Sequence, residues 1–105
     1  MAFRLRVVRR AEREIRAASA WWLENRHGAP ALFGQELERG FDLITAQPRI
    51  GVPALDAGLE GVRRVHLYRI HYHLYYRISG EATVEVLAFW HTSRGRGPDL
   101  VQDAG

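Results

Sequence analysis

Arg69, His71, His73, Tyr75 and Arg77 occupy alternate positions in the run 68–78. On an extended strand such residues share one face, spaced by about 6.6–7 Å. A face of this kind can grip phosphates through the forked hydrogen bonds of guanidinium groups, and Tyr75 offers a ring for a base to stack on. Arg63 or Arg64 falls beside it from the preceding segment, and His91, Arg94 and Arg96 follow the last apolar run. A solvated sheet face would also carry charge, but three histidines among the arginines exceed what solubility requires. His71 and His73 have a spacing that can bind zinc, yet two ligands are half a site. With no cysteine in the chain, no metal and no cofactor are expected. His91 is the candidate proton-transfer group, since imidazole titrates near neutrality; a histidine closing a strand also serves purely structural ends. Patterns for an activated serine, a phosphate-cradling glycine loop and a glycosidase carboxylate pair are absent.

Those residues need a scaffold, and hydrophobic periodicity supplies one. Phe3, Leu5 and Val7 alternate with Arg4 and Arg6, the pattern of a strand with one buried face. Ala11, Ile15, Ala18 and Trp22 then form a helical stripe, with Arg9, Arg13 and Arg16 elsewhere on the surface and Glu12 paired to Arg16 at i,i+4. Gly28 ends this helix and Pro30 opens a second, running to Ala46 with Phe33, Leu37, Gly40, Phe41 and Ile44 on one side; Pro48 stops it. The short joint between them makes a helical hairpin. Gly40, on the apolar face, permits close approach of another element. Residues 48–58 read as an extended loop. Three strands follow: 61–67, 68–78 and 83–90, with a hairpin turn at Ser79-Gly80-Glu81. The last is apolar on both faces and therefore central. The fold class expected is α+β: an N-terminal strand, an antiparallel helix pair, then three antiparallel strands. The helices pack on one face of a four-stranded sheet in which the first strand pairs with the last, and the other face is cationic and exposed.

The chain has 105 residues, enough for one domain, with a glycine-rich tail from about residue 92 to 105 expected to be flexible. Apolar and charged shares of 47% and 26% are those of a globular protein. The absence of cysteine points to the cytoplasm, no run is long enough for a membrane span, and Arg4 and Arg6 argue against a signal peptide at the start. All 15 basic residues are arginine and the net charge is +3, a weak indication of an anionic partner.

Taken in order, Ala17–Trp22, the loop Gln47-Pro48-Arg49-Ile50-Gly51-Val52-Pro53, Leu59–Arg63, Tyr68–Arg77 and Val86–His91 resemble toxins of the RelE/ParE superfamily, the toxin halves of type II toxin–antitoxin pairs. The resemblance covers nearly all the chain. It is closer to ParE, through a proline–glycine loop (Pro48, Gly51), an arginine opening the long strand (Arg69) and a closing histidine (His91). It implies a growth-arresting poison of DNA gyrase that acts by binding rather than as an enzyme. It also implies neutralisation by a cognate antitoxin carrying a DNA-binding domain, in a hetero-oligomer. Arg63, Arg69, His71, His73, Arg77, Arg94 and Arg96 are then the target-binding residues. A RelE-like, ribosome-dependent mRNA endoribonuclease is the alternative. There His91 would take the 2′-hydroxyl proton while arginines stabilise the phosphorane. The lack of lysines, and of a tyrosine after Tyr76, departs from that pattern.

Trp21 and Trp22 point about 100° apart on a helix, so one of them faces solvent. With Leu32 and Phe33, one of these rings is the candidate contact for an antitoxin helix lying in the seam of the helical hairpin.

Overall fold

Alternating Leu5 and Val7 build a short first strand, β1 (Arg4–Val7), and the chain turns directly into α1 (Arg9–Asn25). The computed structural model describes residues 3–101. α1 buries Ala11, Ala18 and Trp22, with Ile15 packed beside them, the stripe read from the sequence. Among the described residues the i,i+4 ion pair of this helix joins Arg10 to Glu14 at 3.2 Å, in place of Glu12 and Arg16. α2 (Leu32–Ala46) buries Phe33, Gly40 and Ile44. A Cβ on Gly40 would come within 2.8 Å of Leu67, so the missing side chain does let the sheet approach.

Next come β2 (Val52–Pro53), β3 (Arg63–Leu67), β4 (Tyr72–Ser79) and β5 (Thr83–His91). They form one sheet in the order β1-β5-β4-β3-β2, with β1 parallel to β5 and the other pairs antiparallel. β5 is central, as its two apolar faces require, and Gly80 turns the β4–β5 hairpin with φ 67°. The fifth strand is the difference from the expected four. β2 is only two residues long and holds the sheet edge, the one position where Pro53 costs no ladder hydrogen bond.

Two features of the long alternating segment are corrected. Residues 68–71 are not strand. Leu67 pairs with Tyr72, and Tyr68-Arg69-Ile70-His71 is the turn between β3 and β4. The amides of Ile70 and His71 both donate to the Leu67 carbonyl, at 3.1 and 2.9 Å. His71 takes the left-handed φ of 64° that this reversal needs. Ile70 points back into the core and so continues the apolar rhythm through a turn that has no glycine or proline to announce it.

The second correction concerns the face opposite the helices. The helices cover Leu74, Tyr76, Val84, Val86 and Phe89, the main core. The other face carries a smaller core of Tyr75, Leu87 and Ala88, roofed by Ala54, Ala57 and Val62 from the long loop and by Leu100 from the tail. Between Tyr75 and Tyr76 the register slips, leaving Leu87 as an extra residue opposite the β4 ladder. Such a bulge turns neighbouring side chains to one face, here Leu87 and Ala88. The tail is consequently packed as far as Leu100: its amide donates to the Ala57 carbonyl at 3.0 Å, and Pro98 and Leu100 are buried. The end of the tail expected to be flexible, 102–105, lies outside the described residues.

Candidate functional site

Strand pairing sets His66, His73 and Trp90 directly opposite one another on β3, β4 and β5, on the face away from the helices. The two imidazole rings are 5.0 Å apart. Arg94 brings its guanidinium to 3.9 Å from the centre of the Trp90 ring, a close cation–π contact. The Trp90 indole N–H donates to the Arg96 carbonyl at 2.7 Å, which ties the tail to this row. Two residues along each strand, Arg64 donates to the Tyr75 hydroxyl at 3.4 Å. The result is a strip of cations and rings, with His66 and Arg94 exposed and Arg64, His73 and Trp90 half-buried.

Burial holds the His73 pKa below the ordinary histidine value, and the charges of Arg64 and His66 push the same way. His73 is therefore neutral at neutral pH, and serves as a hydrogen-bonding ring between two cationic arginines rather than as a third charge. Guanidiniums flanking neutral rings suit a partner that presents anionic groups beside flat or apolar ones.

Of the residues singled out for target binding, the structure brings His73, Arg94 and the backbone of Arg96 together here. The rest lie elsewhere. Arg63 sits at the same level as Tyr76, toward the helix side, and donates to the Gly51 and Arg49 carbonyls at 2.7 and 3.3 Å. Arg69 and His71 are in the β3–β4 turn. The Arg69 amide donates to the buried Glu36, and the His71 carbonyl accepts the Thr92 amide at 2.9 Å. Arg77 is held by Glu85 at 3.0 Å. Tyr75 cannot stack on a base: it is 1% exposed beneath the tail, and a Cβ on Gly97 would lie 2.9 Å from its hydroxyl.

His91 faces the helix side. Its ring stands edge-on to Tyr72 at 5.0 Å, and Tyr72 in turn stacks on Phe89 at 4.3 Å. Its Nδ1 accepts the Ser93 amide at 3.1 Å and lies 2.7 Å from the Ser93 hydroxyl. That nitrogen is engaged, so the neutral ring carries its proton on Nε2.

The residues expected to receive an antitoxin helix divide likewise. Trp22 and Phe33 are core, their rings 6.2 Å apart, and the Trp22 indole donates to the Ala29 carbonyl at 2.8 Å. Together they fill the seam, with Leu32 half-buried beside them. Trp21 is the tryptophan that faces solvent, 47% exposed.

His66 and Trp90 are the members of the strip that the sequence did not single out. The signal for His66 was its position: in an antiparallel hairpin closing at residues 67 and 72, it must face His73. Among the described residues there is no group of three or more His, Cys, Asp or Glu that could hold a metal ion, and no helix is long and apolar enough to cross a membrane.

Comparison with known proteins gives this geometry a family. A chain of the chromosomal ParDE TA system from P. aeruginosa superposes with a TM-score of 0.69 at 17% identity, covering 88% of this chain and 98% of that one. The isolated E. coli RelE toxin gives 0.61 at 21% identity, with 90% and 89% covered. A substituted E. coli RelE in the free state gives 0.59 at 21%, with 89% and 86% covered. At these identities the likeness is one of fold. No curated protein matches the sequence. The model of the ParE toxin of type II toxin–antitoxin system, parDE, matches residues 5–96, from β1 through the Trp90–Arg94 contact to Arg96. The chain therefore belongs to the ParE toxin family of type II toxin–antitoxin systems.

Proposed function

We propose that this chain, as one toxin domain, arrests growth in the cytoplasm by binding DNA gyrase, and that a co-expressed antitoxin with its own DNA-binding domain neutralises it in a hetero-oligomeric complex. Family membership supports the toxin role. The observation that carries the binding mechanism is the placement of His91. It points to the helix side with Nδ1 engaged by Ser93, whereas Arg64 and His73 point to the other side and Arg77 is occupied by Glu85. Arg94 is the guanidinium whose charge reaches Tyr72 beside His91, and it is drawn to the Trp90 ring at 3.9 Å; the several cations that acid–base cleavage gathers round its proton acceptor are on other faces. The strip from Arg64 to Arg94 instead offers a surface that works by adhesion. Exposed Trp21 on α1 provides an apolar contact for the antitoxin.

Induced expression from a tight promoter tests this. The expected course is filamentation and DNA-damage signalling while protein synthesis continues, with purified chain inhibiting gyrase supercoiling. His91→Ala should retain toxicity. Early collapse of translation with transcripts cut in the coding frame, abolished by His91→Ala, would replace this reading with the nuclease one.

A further inference from the structure

Close to the first turn of α1, three neighbouring strands set Arg6, Glu85 and Arg77 in one line across β1, β5 and β4. The Glu85 side chain is 6% exposed and accepts from Arg6 at 2.9 Å and from Arg77 at 3.0 Å. One buried carboxylate thereby fixes two guanidiniums while engaging one nitrogen of each, and a guanidinium has five N–H donors. Both border a concave pocket of about 440 Å³ whose rim also carries Arg9, Arg10 and Arg13. Arg10 is drawn to Glu14 at 3.2 Å, and the other four guanidiniums face Glu85 and Glu12, a surplus of two positive charges at the rim. Among the described residues neither Arg9 nor Arg13 enters an ion pair, and both are exposed. Leu87 and Leu100 also line the pocket, and apolar walls strengthen the field of the charges above them.

We infer that this pocket binds the phosphodiester groups of a nucleic-acid backbone. A carboxylate offers two oxygens, and those of Glu85 are already taken by one nitrogen from each of two arginines, which leaves the remaining guanidinium donors for a ligand. A tetrahedral phosphate takes donors from several guanidiniums at once, and arginine alone, without lysine, supplies the rim. Successive phosphodiesters along a strand, one charge each, match a surplus spread over separate guanidiniums along the rim. The inference holds whichever cellular target the toxin has, since it concerns backbone chemistry common to DNA and RNA.

The test is fluorescence anisotropy of the full chain with short labelled oligonucleotides as single-stranded DNA, duplex DNA and RNA, titrated over a range of salt. Binding by at least one form is expected, and the tightest identifies the source of the phosphates. In Arg9→Gln/Arg13→Gln the affinity should fall by about tenfold or more, and the salt slope by about 1.8 for a duplex or about 1.4 for a single strand. The charge-matched Arg26→Gln/Arg49→Gln should move neither. Polyphosphate should displace the oligonucleotide from the unaltered chain more effectively than polyglutamate, a measurement that does not depend on any variant folding. Equal losses in the two variants would mean diffuse attraction to a basic surface, and better displacement by polyglutamate would mean a carboxylate ligand. Either result, or no binding to any of the three nucleic acids, overturns the inference.

Discussion

Glu36 shows what a single side chain holds together. It is 1% exposed, takes two bonds of 2.9 Å from Arg39, and accepts the Arg69 amide of the β3–β4 turn. The Arg39 hydrogen bonds hold its carboxyl below the ordinary value of 4.5, outweighing the opposite effect of burial. A carboxyl depressed in the folded state contributes stability that is complete above the unfolded value and is lost as pH falls through the folded one. Glu36→Gln should therefore flatten the acid limb of a Tm-versus-pH curve below about pH 4.5. It should also lower stability at neutral pH by about 1–3 kcal/mol, read by urea unfolding at both pH values. At this scale sequence reading is weakest. Alternation told which way Arg77 points, but Glu85, which occupies it, stands opposite on another strand and 8 residues away. A basic residue free in the sequence is often already spent in the fold, and only the pairing register says which.

Elements were more legible, because each rests on a local period. The helix stripe, the central β5 and the β1–β5 pairing follow from apolar spacing and are found as expected. Two places broke the rule. The 68–71 turn kept the strand rhythm because Ile70 must reach the core, and the Leu87 bulge reversed the rhythm of β5 with no residue to mark it. The proline–glycine loop is tighter than its sequence suggests. The Gly51 amide donates to the Tyr76 hydroxyl at 2.9 Å, and a Cβ there would meet that oxygen at 2.6 Å and the Arg64 carbonyl at 2.8 Å. Neither backbone nor a buried ring can step aside cheaply. Gly51→Ala should part β2 from β3 and cost about 2–3 kcal/mol, measurable as a lowered urea midpoint with unchanged m.

Across the whole molecule the sheet is the centre of two cores, not a boundary between one core and solvent. The tail completes the smaller one, which is why a segment rich in glycine is nonetheless packed. Leu100→Ala removes the roof over Tyr75 and Leu87 and should cost about 2–3 kcal/mol. Thermal unfolding followed by circular dichroism should show Tm lower by about 10 °C. A Tm within about 2 °C of the unaltered protein would mean that the tail contributes little of the fold.

The parallel pairing of β1 with β5 also governs when this protein comes into being. Arg4 waits for Thr83, and at a translation rate of about 5–20 residues per second that wait is roughly 4–16 s. Throughout it, the nascent chain has helices but no central strand for them to cover. A ribosome that stalls or terminates before β5 releases a fragment without the main core. The harmful fold exists only once synthesis has passed its last strand, a delay measured in seconds during which a partner already made can meet the unfinished chain.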